Sequence, residues 1–391
     1  MPSFRQYNDG MIPRYLEKRL IERLKGSHEA LILYGPRQVG KTTLVNQVLN
    51  VLPGRTLRLN ADTAQVPEAL SSRDMAKLRG LVQGYDVLFI DEAQRVPEIG
   101  LNIKLLVDHF PELRVVATGS SSLDLASKTR ESLAGRAWNY TLYPIAALEL
   151  SAQMTPFEMR NDLEARLIFG SYPRVVLMIG DDERREYLDN LAAASLYKDI
   201  LEMSGIRNSD KLRRLLRLLA FQIGQEVSLN ELGMQLEMSK NTVASYIDLL
   251  EQSFVVFRLS GYSRNLRKEI SKLDKIYFWD LGVRNILINN FNLIGQRNDI
   301  GALWENYVVA ERLKWLRYTQ GIGTLYYWRT KNGSEIDCIE ERNGRLLGIE
   351  CKWNPATKSK PPQAFVNLYP DSTFVTITPE NYVDFLTAAS E

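Results

Sequence analysis

The chain has 391 residues, 45% of them hydrophobic, and a formal net charge of +2; that supports packed cores in roughly two or three domains and gives no whole-molecule signature of a nucleic-acid binder. No apolar run approaches the roughly 20 residues of a membrane helix, and "MPSFRQYNDGMIPRYLEKRL" lacks a secretory h-region, so a cytoplasmic protein without membrane partners is expected. Two cysteines, Cys338 and Cys351, and two histidines, His28 and His109, leave no Cys-x-x-Cys pair, no His-rich metal centre and little material for a Ser-His-Asp triad.

Over residues 31–150, "ALILYG", "RTLRLN", "DVLFID" and "RVVATGS" read as buried parallel strands separated by segments of helical period. That alternation is the doubly wound α/β pattern. The first strand runs into "GPRQVGKTTL", where Gly35, four residues, Gly40, Lys41 and Thr42 precede a helix, the context a Walker A phosphate loop requires. Gly35, Pro36, Arg37, Gln38, Val39 and Gly40 would turn their amides toward phosphate oxygens, with Lys41, Thr42 and Thr43 opening the helix. Lys41 would bridge the β- and γ-phosphates of ATP and Thr42 would ligate Mg2+.

The strand "YDVLFIDEAQ" ends in Asp91 and Glu92. Asp91 is placed to hold the magnesium ion through its bound water, and Glu92 to polarise the attacking water. At the end of the next strand the hydroxyls of residues 118–121, Ser120 among the ATP-binding candidates, are available to sense the γ-phosphate; which one does so is open.

From about 155 to 253 the signal is helical, with Gly170 and Pro173 marking a turn between helices. Within it, "VSLNELGMQLEMSKNTVASYIDLLEQSFVVFRLSGY" holds a short helix over 229–238, a turn at Met238-Ser239, a second helix with Val243, Ile247 and Leu250 on one face, and a strand-like wing. This is a winged helix-turn-helix pattern. Lys240, Asn241, Thr242, Ser245 and Tyr246 would lie on the exposed face, residue types suited to DNA contacts. Basic stretches at 211–217 and 258–275 would then line the duplex backbone.

The third region is mixed: a helix around 301–317, a strand "TLYYWRT", a hairpin and a strand "STFVTIT". The hairpin, "SEIDCIEERNGRLLGIECKW", turns at Asn343-Gly344, which favours a two-residue type I′ turn. Cross-strand partners then sum to 687, with Asp337 opposite Glu350 and Glu335 opposite Lys352, all on one face, while both cysteines fall on the other as buried thiols. Two carboxylates placed so repel unless a cation sits between them, so Asp337 and Glu350 are candidate ligands of a divalent ion with Lys352 beside it. A Glu335–Lys352 ion pair is the plainer alternative for that pair.

Gly35 to Thr42, Asp91-Glu92, the polar strand end at 118–121 and "LAGRAWNYTLYPIAALEL" resemble the AAA+ ATPase superfamily, in particular a prokaryotic group of ATP-binding proteins with a C-terminal domain of unassigned function. The resemblance covers nearly the whole chain. It implies an arginine finger supplied in trans, which Arg136 matches, and therefore a homo-oligomeric ring such as a hexamer; a surface or fold-stabilising role is the alternative for Arg136. Asp337 with Glu350-Cys351-Lys352 is similar to the D…ExK arrangement of the PD-(D/E)XK nuclease fold, which implies an added site acid, Glu305, on the preceding helix; the leading proline of that motif is absent.

The expected fold is α/β: a P-loop AAA+ parallel-sheet domain over 1–150, a helical linker or lid over 151–208, a winged helix-turn-helix domain over 209–265 and an α+β nuclease-like domain over 270–391. The expected activity is Mg2+-dependent ATP hydrolysis that drives binding, remodelling or translocation of DNA, branched DNA included. The alternatives are an ATP-regulated, metal-dependent DNA endonuclease and a nucleotide-switched signalling or scaffold ATPase with no nucleic-acid role.

Overall fold

Apolar runs without alternation are expected where a sheet is covered on both faces. In the computed structural model, which describes residues 11–120, 133–193, 209–263, 273–319, 321–357 and 359–388, three such runs form strands buried along nearly their whole length. These are β1 (Ala30–Tyr34), β3 (Val87–Asp91) and β4 (Arg114–Gly119). With β2 (Thr56–Asn60) and β5 (Ala137–Thr141) they make one parallel sheet in the order β2-β3-β4-β1-β5. Ile32, Leu88, Ile90, Val115 and Ala117 share a core with Ile99, Ile103 and Leu106 of the helix Ile99–His109. The winding direction changes beside β1, which opens a crevice at the carboxyl ends of the strands, the usual ligand site of such sheets.

The described chain falls into two compact units, one of residues 13–143 with 252–254, the other taking in 144–251 and 255–391. The second unit holds, after a short helix Ala147–Leu150, the helices Pro156–Phe169, Pro173–Leu177 and Asp181–Leu191. The turn expected at Gly170 is there for a steric reason: its φ is +75°, and a Cβ would fall 2.1 Å from Asp280 Oδ1. Next come the helix Ser209–Phe221, β6 (Glu226–Val227), the helices Leu229–Leu236 and Lys240–Gln252, β7 (Val256–Leu259) and β8 (Asp274–Phe278). The three strands pair antiparallel in the order β6-β8-β7.

The long helix Ile300–Thr319 is buried on most of its circumference and leads into a second sheet. Its strands are β9 (Thr324–Arg329), β10 (Glu335–Arg342), β11 (Arg345–Cys351) and β12 (Thr373–Ile377), in the order β12-β11-β10-β9. The β10–β11 register is the one the turn dictates, with Cys338 opposite Ile349 and Arg342 opposite Arg345. Asn343 and Gly344 have φ of 52° and 78°, the double positive φ of a type I′ turn. Against β9, by contrast, the register of β10 shifts between Ile336 and Ile339, so Asp337 and Cys338 sit in a bulge. Bulges re-aim side chains and are common beside active sites. Among the described residues no helix is long and apolar enough to cross a membrane.

Candidate functional site

The loop after β1 is held open by backbone fit. Gly35 has φ of +148°, and a Cβ there would meet the Leu142 carbonyl oxygen at 2.2 Å, so this position admits only glycine without moving the chain beyond β5. Gly40, with φ of 96°, ends the loop in the left-handed region and hands over to the helix Lys41–Asn50. Lys41 is buried, and its ammonium donates to the carbonyls of Gly35 and Pro36, each at 2.9 Å. Thr42 and Thr43 are exposed at the helix start. The loop from Gly35 to Gly40, Lys41 and Thr42 thus stand together at the mouth of the crevice, where the helix end favours anions.

The ends of β3 and β4 bring oxygen ligands to the same place. Thr42 Oγ1 donates to Asp91 Oδ2 at 2.9 Å, and the Thr118 hydroxyl donates to Asp91 Oδ1. Thr118 Oγ1 also accepts from the Glu92 amide at 3.3 Å, so this hydroxyl is engaged by the acid pair. Glu92 sits at φ of 54°, a left-handed conformation that a non-glycine residue adopts at a cost and that recurs at functional sites. Its Oε2 accepts from Gln94 Nε2 at 2.5 Å, and the same amide nitrogen reaches Ser120 Oγ at 3.0 Å. Ser120 therefore meets the acid pair through Gln94, while Ser121 lies outside the described residues.

Arg136 is not beside this site in its own chain. It precedes β5, its carbonyl accepts from the Ala30 amide at 2.8 Å, and its Nε bonds Asp108 at 2.6 Å. Because β1 and β5 run parallel from Ala30 and Ala137, Arg136 lies roughly 16 Å of strand away from the phosphate loop, at the amino ends of the strands.

In the second unit Glu305, Asp337, Glu350 and Lys352 do converge, and two residues of β8 join them. Lys275 Nζ lies 3.2 Å from Glu305 Oε1 and 2.5 Å from Glu335 Oε1, with only 2% of its side chain exposed. Tyr277 Oη donates to Glu305 Oε1 at 2.5 Å. Lys352 Nζ bonds Glu350 Oε1 at 2.7 Å, and Asp337 Oδ2 accepts from the Cys351 amide at 2.8 Å. The Glu335–Lys352 pair offered as the alternative does not form: β10 is bulged here, Glu335 meets Lys275, and Lys352 meets Glu350. Of the two facing acids, Glu350 is paired with the Lys352 ammonium, and the nearby charge of Lys275 pulls against the repulsion at Asp337. Burial, then the charges of Glu305 and Glu350, push Asp337 up to about 7. Burial opposes the charge on Lys275, but Glu305 and Glu335 outweigh it and hold its pKa above the ordinary value. No group of three or more His, Cys, Asp or Glu side chains with a metal-holding arrangement occurs among the described residues. Cys338 and Cys351 are buried free thiols, as expected.

On the helix Lys240–Gln252, Lys240, Asn241 and Ser245 are exposed and Tyr246 is half-buried. Ser239 caps this helix, accepting from the Thr242 amide at 3.1 Å. The basic stretches do not simply flank it. Lys211 Nζ and Arg214 Nη2 donate to the carbonyls of Glu237 and Gln235, at 2.7 and 3.3 Å, satisfying the end of the helix Leu229–Leu236. Arg258 is paired with Asp248 at 2.6 Å and with Glu251, Lys275 is buried among the acids, and residues 264–272 lie outside the described residues.

Arg14, whose guanidinium reaches the phosphate loop, Gln94 and Tyr277 escaped the sequence reading, and Lys275 was read only as the end of a basic stretch along DNA. Only Lys275 carried a signal, a lysine followed directly by the buried run Ile276, Tyr277 and Phe278.

Comparison with known proteins finds three family matches along the chain. The family described as AAA domain matches residues 27–151, and two described as domains of unknown function match 160–293 (DUF8612) and 300–385 (DUF4143). The uncharacterized protein Rv2008c of Mycobacterium tuberculosis is 31% identical over 327 residues, 82% of this chain and 70% of that protein. An uncharacterized protein of Methanocaldococcus jannaschii is 27% identical over 356 residues, 80% of this chain and 73% of its own length. A Walker-type ATPase of Pyrococcus abyssi superposes with a TM-score of 0.49 at 19% identity, over 72% of this chain and 97% of that one.

Proposed function

We propose, from the premise that this chain belongs to the family of the mycobacterial protein Rv2008c, that it is a magnesium-dependent AAA+ ATPase that acts on DNA. The AAA domain makes it a P-loop ATPase. The observation that carries the rest of the chemistry is the meeting of Lys41, Thr42, Asp91, Thr118 and Glu92 at one crevice. Loop amides and Lys41 would grip the β- and γ-phosphates. Thr42 and Asp91 fit a magnesium ion, since a hydroxyl and a carboxylate, both hard oxygen donors, converge at 2.9 Å; when bound, the ion neutralises phosphate charge. Glu92 would accept the proton of the attacking water at its carboxylate, held in place by Gln94. Arg136, remote from its own site, would complete the site of a neighbouring copy in a homo-oligomeric ring.

For the second unit we read residues 209–265 as a winged helix-turn-helix module. Support comes from the succession of three helices followed by β7, which with β6 pairs to β8 just beyond this segment, and from the exposed Lys240, Asn241 and Ser245. Residues 270–391 we read as a nuclease-like domain that holds DNA without cutting it. Lys275 is paired with Glu305 and Glu335 and Lys352 with Glu350, so ammonium groups already balance three of the acids around Asp337, which supports binding over cleavage. The test is ATP turnover with no DNA and with single-stranded, duplex and four-way DNA, each at two salt concentrations. Stimulation of several-fold by at least one of them, shrinking as salt rises, is expected. Absence of both stimulation and binding would leave the nucleotide-switched scaffold as the surviving account.

A further inference from the structure

Nothing in the phosphate-loop pattern assigns a role to Arg14, which lies 21 residues before Gly35. It is nevertheless buried, with 8% of its surface exposed, in a unit where burying a guanidinium is costly without partners. Its Nη1 donates to the Val39 carbonyl at 2.8 Å and its Nη2 to the Tyr143 carbonyl at 2.6 Å. One planar fork therefore clamps the phosphate loop to the segment beyond β5, the same segment whose Leu142 carbonyl approaches Gly35 and whose Leu142 amide donates to Tyr34 at 2.8 Å.

We infer that Arg14 is a positioning residue of the ATP site, which sets the direction of the Val39–Gly40 peptide. In a planar trans peptide the carbonyl and the following N–H point in opposite directions. With the Val39 carbonyl pinned to Arg14, the Gly40 N–H is fixed on the other side. Gly40 is in the left-handed region, where rotation of that peptide meets little steric resistance from its own residue, so an external hold on it matters. Arg14 acts through the Val39 carbonyl, by keeping one donor of the cradle aimed before ATP arrives. Only a two-pronged donor reaches both carbonyls, so lysine is an incomplete substitute.

The inference rests on the P-loop reading, and steady-state kinetics of the full chain separate the two. The variants are Arg14→Met, Arg14→Lys and, as control, Lys41→Met. A pre-aimed amide contributes to binding of ATP and of the transition state alike, so its loss raises KM and leaves kcat nearly unchanged. We expect KM for ATP to rise about tenfold in Arg14→Met and less in Arg14→Lys, with kcat within about twofold of the parent. A merely structural role would lower the active fraction, so that kcat falls at constant KM; that result, or an unchanged KM in both variants, overturns the inference. Should Arg14→Met not fold, Arg14→Lys alone decides by the same criterion. If Lys41→Met retains turnover, the P-loop reading itself fails, whatever Arg14 does.

Discussion

Replacing Glu92 by glutamine is expected to lower kcat for ATP hydrolysis by roughly 10²- to 10⁴-fold, the range for losing a general base, while ATP affinity stays near that of the parent. Glutamine is nearly isosteric, and neither Lys41 nor Thr42 depends on Glu92 for its position: the first rests on Gly35 and Pro36, the second on Asp91. Backbone strain at residue 92, with φ of 54°, is set by the chain and stays. What is lost is a carboxylate oxygen able to take a proton from water. Single-turnover phosphate release together with calorimetric ATP titration checks this. A variant that hydrolyses at the parental rate would move the general base elsewhere, and an equal fall in affinity would make Glu92 a ligand of the loop.

Replacing Lys275 by methionine is expected to cost roughly 3–5 kcal/mol of stability, the range for stranding a buried charge by removing its partner. Lys275 is the shared partner of Glu305 and Glu335, and burial already raises the pKa of Glu305 against the opposing pull of Lys275 and Tyr277. The sign of the pH dependence follows from those directions. Without the ammonium, Glu305 and Asp337 move further above their unfolded values, so the folded variant binds more protons than the unfolded chain in that interval. The variant's stability is retained at acid pH and lost as pH rises through the raised values, so the deficit at pH 8 exceeds that at pH 5. Denaturant unfolding at the two pH values measures it. Adding Glu305→Gln to Lys275→Met should recover part of the loss. Restoration by magnesium instead would show that the acids accept a divalent ion once the ammonium is gone, and would revive cleavage as the activity of the cluster. An unchanged midpoint would mean that Lys275 is not their counter-ion.

The two halves of the chain differ in how openly they declare themselves. β1, β3 and β4 are continuous apolar runs because both faces of the sheet are covered, and the phosphate loop is written in contiguous residues; both were legible. β5 was not, because "AWNYT" is an edge strand, half exposed and without clear alternation. The hairpin register followed from two turn residues, yet the bulge against β9 did not, since nothing local to Asp337 and Cys338 encodes a mismatch with another strand. Glu335 in turn meets Lys275, 60 residues earlier in the chain. Lys211 and Arg214 show the same limit: their spacing reads as a basic helix face, but their donors are taken by carbonyls 26 and 21 residues away. Pairings of that range depend on the finished fold, which is also why Arg14 gave no sign of its hold on Val39.

The most direct measurement of the central claim is a calorimetric titration of ATP with magnesium into the intact chain and into Lys41→Met, with phosphate release followed in parallel. Saturable binding and turnover in the parent, both largely lost in the variant, are the predicted result. Equal affinity and equal turnover in the two proteins, or no uptake of nucleotide by the parent, would contradict it.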